Sequence, residues 1–364
     1  MRPIARHLEG EGPHNPFPGL AAAERKMGRK LPYQLGSNEG LDIPLKALSE
    51  TFGHEVAILA RRYADAESHD LRVQLSERLA IGRDDLVVDA GADSLMALSL
   101  RTLCEPGDVA ITSKGTYPTF NYFAQSTGCR LIEAFYKEQA GVLAPDLDAL
   151  VEMAHHHHAR LIYLANPDNP SGYLYSMAEI IALRDQLPGD CWLLLDEAYY
   201  EFHDENHSQP LEGVIRLRTF SKAYGLAGLR IGYAIADPEV IKAMLKARIH
   251  YAVASVSLAA AEFQLNQQEE VQAHIVQVAH QREQLIRRLE AANVQVYPSA
   301  TNFVAVNLGS AEEAARVQGE LLAQDVIVHR PPHPALGHIL RITSVADALT
   351  EGRLAPLLKA GSPS

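Results

Sequence analysis

Seven short apolar runs, separated by helix-patterned stretches, constrain this chain more than any other feature. They read DLVVDA, DVAIT, RLIEA, ARLIYLAN, CWLLLDEA, VIRLRTF and RIGYAIA, between Asp85 and Ala236. None shows the polar alternation of a strand with one wet face. Both faces must therefore be buried, as in a mainly parallel sheet lying between helices. Ser94 to Leu103 and Met177 to Gln186 are among the stretches that can supply the crossover helices. The expected class is α/β, with a large region built on a mainly parallel seven-stranded sheet.

Beyond Ala254 the pattern changes. Glu269 to Ala292 reads as one long helix, followed by VQVYPSATNFVAVNL, the helical AEEAARVQGELLAQ, and two short strands in VIVHR and ILRIT. This predicts a second, smaller α/β region. The expected division is an N-terminal arm that contributes to the small region (residues 1–44), a large region (45–255) and a small C-terminal region (256–364). There is no internal repeat, and the run His155 to His158 reads as a solvated helix end.

Composition narrows the partners. The chain has 364 residues, 47% hydrophobic and 21% charged, with a formal net charge of −12. Without a basic stripe, that charge argues against nucleic acid and against an anionic membrane. The three cysteines, Cys104, Cys129 and Cys191, match neither a zinc spacing nor a disulfide framework. The charged, proline-rich start carries no apolar core of a secretory signal, and no run is long enough to span a bilayer. The expectation is a cytoplasmic enzyme acting on small molecules.

In an open α/β sheet, ligands gather outside the carboxyl ends of the strands, so the residues after each apolar run carry the chemistry. Lys222 follows VIRLRTF in RTFSKAYGLAGLRIGY. By itself it is an ordinary surface lysine, but Ser221 and Arg230 beside it suit a phosphate. A lysine amine with a lowered pKa can condense with an aldehyde and then move a proton. Gly225, Gly228 and Gly232 do not make the dinucleotide glycine pattern. Asp196 ends CWLLLD, where a carboxylate can keep a pyridine nitrogen protonated or simply cap a helix. Tyr199 follows it with a phenol. Asn169 sits in the rigid turn NPDNPSG, and Ala92, Asp93 and Ser94 open a helix whose free N–H groups suit an anion. Arg341, in ILRIT, can grip a carboxylate with two hydrogen bonds, although a surface strand arginine is commoner.

Taken together and in this order, NPDNPSG, LLLDEAYYEF and RTFSKAYGLAGLRIGY resemble the fold-type I aminotransferases, in particular the histidinol-phosphate aminotransferase branch. The resemblance runs from about Tyr33 to Ala348. It implies pyridoxal 5′-phosphate as cofactor, with Lys222 as its Schiff-base lysine and proton shuttle and Asp196 against the pyridine nitrogen. Asn169 and Tyr199 match the ligands of the ring oxygen, and Phe120 matches the stacking aromatic ring. Ala92, Asp93, Ser94, Ser221 and Arg230 match the phosphate cup. Tyr63 matches a tyrosine that reaches the partner's cofactor phosphate, which implies a homodimer with a shared active site. Arg341 matches the arginine for the substrate carboxylate, and Tyr251 and Arg330 match the distal wall of the substrate pocket.

Two departures concern the substrate. The family's asparagine-proline segment reads SNEGLDIPLKAL here, around Asn38, and Phe17 replaces a tyrosine near the substrate's phosphate. The implied reaction moves an amino group from an L-amino acid or a histidinol-phosphate-like amine to a 2-oxo acid, with aromatic donors open. A decarboxylase or lyase on the same cofactor, and a non-catalytic ligand-sensing module, are the competing readings.

Overall fold

A computed structural model describes Glu24 and residues 26–36, 38–39, 41–43, 46–53, 55–61, 63–204 and 207–361. Phe17 lies outside the described residues. In chain order the strands are β1 (Tyr33–Gln34), β2 (Leu86–Asp89), β3 (Val109–Ser113), β4 (Arg130–Ala134), β5 (Tyr136–Gln139), β6 (Val142–Pro145) and β7 (Leu161–Ala165). They continue with β8 (Trp192–Asp196), β9 (Val214–Thr219), β10 (Gly232–Ile235), β11 (Gln295–Val296), β12 (Phe303–Asn307), β13 (Val326–Ile327) and β14 (Ile339–Thr343).

Each of the seven apolar runs supplies one strand of a single sheet, ordered β2-β10-β9-β8-β7-β3-β4. Only β10 runs antiparallel to its neighbours. Successive residues of β7 face opposite layers, as the pleat requires. Leu161 and Tyr163 pack with Leu95 and Phe120 from the helices over Gly91–Leu103 and Pro118–Thr127. Ile162 and Leu164 pack with Leu150 and Ile180 from those over Leu147–His157 and Met177–Gln186. Burial on both faces explains why the runs lack alternation, the partly exposed edge strand β4 excepted.

A second layer is formed by the antiparallel order β11-β12-β14 and by β1 paired in parallel with β13. The long helix spans Gln268–Ala291, and its Leu285 and Leu289 share a core with Leu35, Val304 and Leu340. Of the N-terminal segment, Tyr33–Gln34 pairs with β13, and Leu35 packs into the core of this region. At the expected division at residue 256, however, the helix over Ser255–Leu265 still packs on His69–Leu79: Leu258 and Leu265 share a core with Leu71 and Leu75. The hairpin β5–β6 was not anticipated, because its strands are short and β5 is largely exposed. Among the described residues, no helix is long and apolar enough to cross a membrane.

Candidate active site

A cavity of about 210 Å³ opens where β2, β7, β8 and β9 end, and Lys222, Asp196, Asn169, Tyr199 and Ser221 all line it. Asp196 is the last residue of β8 and is 5% exposed. Its Oδ2 accepts from the Tyr163 hydroxyl at 2.7 Å and its Oδ1 from the Ala198 N–H at 3.1 Å. Burial outweighs both bonds and pushes the carboxyl up to about 6. Lys222 lies three residues beyond β9. Burial, and then the nearby Arg341, push its ammonium down to about 8.

The phosphate cup has a clear backbone origin. The helix over Gly91–Leu103 begins right after β2, and its N-cap, Ala90, supplies no side-chain cap. The first N–H groups therefore stay available to an anion. Gly91 has φ +83, and a Cβ there would stand 2.8 Å from Arg230 Nη2. A Cβ on Gly232 would meet the Arg218 carbonyl oxygen at 2.6 Å and Ala92 N at 3.2 Å. These two glycines let the helix end, the strand and the guanidinium close into one cradle. Arg230 takes the left-handed region (φ 48), with Nη2 3.4 Å from Asp93 Oδ2. Ser94 turns its hydroxyl away, donating to Asp89 Oδ1 at 3.0 Å.

Arg341, on β14, does not line the cavity itself but bonds to Asn169, which does. Arg341 is 2% exposed; its Nη1 donates to Asn169 Oδ1 and its Nη2 to the Gly36 carbonyl at 2.7 Å. Its Nε has no hydrogen-bond partner among the described residues, and burial lowers its pKa, against which Tyr199 and Tyr117 act. Such a buried guanidinium is short of an anion.

Several expected residues lie away from the cavity lining within this one chain. Phe120 is fully buried and stacks on Tyr163 (4.4 Å, 11°), on the helix face turned into the sheet. Tyr117 lines the cavity instead and donates to Asp93 Oδ1 at 3.0 Å. It was missed although it lies in the loop after β3, where the strand-end rule points. Arg330 is not among the cavity-lining residues; its Nε donates to Gln318 Oε1 at 3.2 Å. Asn38 commits its amide to Tyr199 and Thr343. Tyr63 and Tyr251 lie against each other, tilted by 34° with centroids 5.0 Å apart, 86% and 50% exposed and outside this cavity. Glu39 lines the cavity and was also missed, since only the fold brings the segment after β1 there.

The donor set fits pyridoxal 5′-phosphate. It combines an anion cradle, a buried carboxylate lacking a cation, and a lysine with a depressed pKa. A fold-type I sheet with these residues at its carboxyl edge defines a cofactor-dependent enzyme of the aminotransferase type. Residues 34–360 match the family described as aminotransferase class I and II, and the chain belongs to that family. The aromatic amino acid aminotransferase of Nocardia farcinica is 36% identical over 311 residues, covering 81% of this chain and 86% of the relative. The histidinol-phosphate aminotransferase of Anaeromyxobacter sp. is 30% identical over 335 residues, covering 90% of each. The crystal structure of histidinol-phosphate aminotransferase from Sinorhizobium meliloti, in complex with pyridoxal-5′-phosphate, superposes with a TM-score of 0.85 at 34% identity, over 94% of this chain and 93% of that one. The chain is a pyridoxal-phosphate-dependent transferase of amino groups.

Proposed function

We propose that this enzyme takes the amino group from L-amino acids that keep their α-carboxylate, aromatic ones included, and passes it to a 2-oxo acid. The observation that carries this reading is Arg341: a buried guanidinium with an unpartnered Nε, its neighbour Asn169 on the cavity wall. A substrate carboxylate supplies the anion it lacks. The similarity to an aromatic amino acid aminotransferase supports aromatic donors.

When bound, pyridoxal phosphate supplies an electron sink for bonds at the substrate Cα. Lys222 holds the cofactor and moves the proton at Cα, and its lowered pKa keeps a fraction of the amine neutral near pH 7. Asp196 would hold the ring nitrogen, whose positive charge would give the carboxylate a counter-ion. Asn169 and Tyr199 would hold the ring oxygen, and Tyr117 would offer the ring an aromatic face. Ala92, Asp93, Ser221 and Arg230 take the phosphate.

The exposed Tyr63–Tyr251 pair, with Ile58 and Ile249 also exposed, suits a second copy of the chain. A homodimer in the cytoplasm, with Tyr63 reaching the partner's site, completes the reading. A donor screen tests the function: phenylalanine, tyrosine, histidine, leucine and histidinol phosphate with 2-oxoglutarate, read by oxo-acid formation. The carboxylate-bearing donors are expected to turn over, with aromatic ones among the best. Stoichiometric carbon dioxide without oxo acid would overturn transamination on these donors. Turnover of histidinol phosphate alone would overturn the substrate class.

A further inference from the structure

Asn38 is 1% exposed and sits in left-handed backbone, φ 55, just after β1. Asparagine is among the few side chains that tolerate this conformation. The segment is pinned there by the small sheet: the Thr343 N–H donates to the Leu35 carbonyl at 2.7 Å. The Asn38 N–H donates to the Thr343 hydroxyl at 3.1 Å, and its carbonyl accepts from Asn302 Nδ2 at 3.1 Å. Its Oδ1 accepts from the Thr343 hydroxyl at 3.0 Å. The remaining amide group, Nδ2, donates to the Tyr199 hydroxyl at 2.9 Å.

These bonds determine a direction. The Thr343 hydroxyl already accepts from the Asn38 N–H, and it places its single proton on Oδ1. In this arrangement the donor end of the amide, Nδ2, meets Tyr199. A phenol oxygen that accepts from an amide retains its own proton for another acceptor. The Tyr199 ring is held edge-on by Phe303 (5.3 Å, 82°), and the residue lines the cavity. Accepting one hydrogen bond polarises the O–H and strengthens the bond it donates.

We propose that Asn38 is a positioning residue for the cofactor and not a substrate ligand: it turns the Tyr199 proton into the cavity, toward the cofactor's ring oxygen. Among the described residues, its other hydrogen bonds run to Thr343 and Asn302, at the end of β14 and just before β12. The seating of the small sheet is thereby coupled to a group of the large sheet that faces the cofactor. The proposal rests on Tyr199 contacting the ring oxygen, as read above. Arg341, Asp196 and Asp168 are the charged groups that bear on Tyr199, and all three stay in place in the variants below.

The test titrates the cofactor absorption of the holoenzyme against pH. It compares the unaltered protein with Asn38→Gly, which tolerates the backbone, Asn38→Asp, Tyr199→Phe, and the double variant Tyr199→Phe/Asn38→Gly. A donor at the ring oxygen favours its anionic form, so weakening that donor raises the spectral midpoint. Asn38→Gly is expected to raise it by about 0.5 to 1 unit. Asn38→Asp is expected to raise it further, because an ionised carboxylate only accepts and captures the phenol proton. In the Tyr199→Phe background, Asn38→Gly is expected to add nothing. An unmoved midpoint in both Asn38 variants, with a shift in Tyr199→Phe, overturns the positioning role alone. No shift in Tyr199→Phe overturns the placement of Tyr199 and the proposal with it. Equal Asn38→Gly shifts in the two backgrounds overturn the route through Tyr199.

Discussion

Asp196 and Glu197 are neighbours in sequence, both buried carboxylates at the end of β8, yet they live in opposite electrostatic worlds. Glu197 faces Arg216 and Arg218, two fully buried arginines on one face of β9, and takes hydrogen bonds of 2.6, 2.8 and 3.1 Å from them. Burial by itself would raise its pKa, but Arg218 and Arg216 hold it below the ordinary carboxylate value. Asp196, on the other side of the pleat, has only a phenol and an amide, and its pKa rises to about 6. One carboxylate is saturated by protein and serves the fold. The other is left short of a positive charge, in a cavity that also holds a depressed lysine. Arg341 makes the same contrast with Arg216: both are buried, but only one has its carboxylate. In these two pairs the unbalanced member belongs to the site and the balanced one to the scaffold.

The largest expected effect tests the site half of this contrast. Lys222→Ala should lower the rate of amino transfer by about 10⁴-fold or more, the upper range for a positioned proton-transfer group, while the protein still folds. Borohydride reduction and peptide mapping should find no cofactor attached elsewhere. Attachment to a different lysine would dissolve the assignment.

Next comes the scaffold half. Glu197→Gln leaves two buried guanidinium groups without their anion and should cost about 3–5 kcal/mol in urea unfolding. The folded fraction should still attach cofactor at Lys222. A cost near zero would mean the Arg216–Glu197–Arg218 cluster is not the structural pair that its geometry describes.

Asp196→Asn should act in the opposite sense on the cofactor-free protein. The Asp196 pKa is raised from 3.8 to about 6 on folding, so the folded chain holds this proton more tightly than the unfolded chain does. Its contribution is therefore most favourable below about pH 3.8 and is lost as pH rises through 6. At pH 8 the asparagine variant should be more stable by about 1–3 kcal/mol, and the gain should vanish toward pH 4. Urea midpoints at pH 4, 6 and 8 measure it. The same variant should lose most of the holoenzyme's rate. A variant less stable at pH 8 would remove the contrast between the two carboxylates.

Much of the large sheet was legible because burial on both faces leaves an unbroken apolar signature, and its crossovers forbid most other arrangements. The strand-end residues were legible for a related reason: Asp196, Lys222, Asn169 and Ala92 each follow an apolar run, and the topology brings those ends together. What stayed hidden depends on long-range closure. Nothing near Asn38 in sequence announces Thr343 or Tyr199, and nothing near Arg341 announces Asn169. The pairing of carboxylates with arginines was equally invisible, since Asp196 and Glu197 look alike until the pleat sends them to opposite faces.

The smallest expected effect separates Phe120 from Tyr117, three residues apart on the same helix entry. The expectation from resemblance placed Phe120 over the cofactor ring, whereas its ring lies flat on Tyr163, which in turn donates to Asp196. Packed in this way, Phe120 touches Tyr163 and not the cavity lining. Phe120→Leu keeps an apolar group of similar reach and should cost about 1 kcal/mol in stability, with the cofactor spectrum unchanged. Tyr117→Leu removes the aromatic wall of the cavity and should weaken cofactor retention by about three- to tenfold, the range of one aromatic stacking contact, with little loss of stability. Dialysis against cofactor-free buffer reads retention, and urea midpoints read stability. If the two variants exchange these outcomes, the stacking role belongs to Phe120, and the helix over Pro118–Thr127 must present a different face to the bound cofactor.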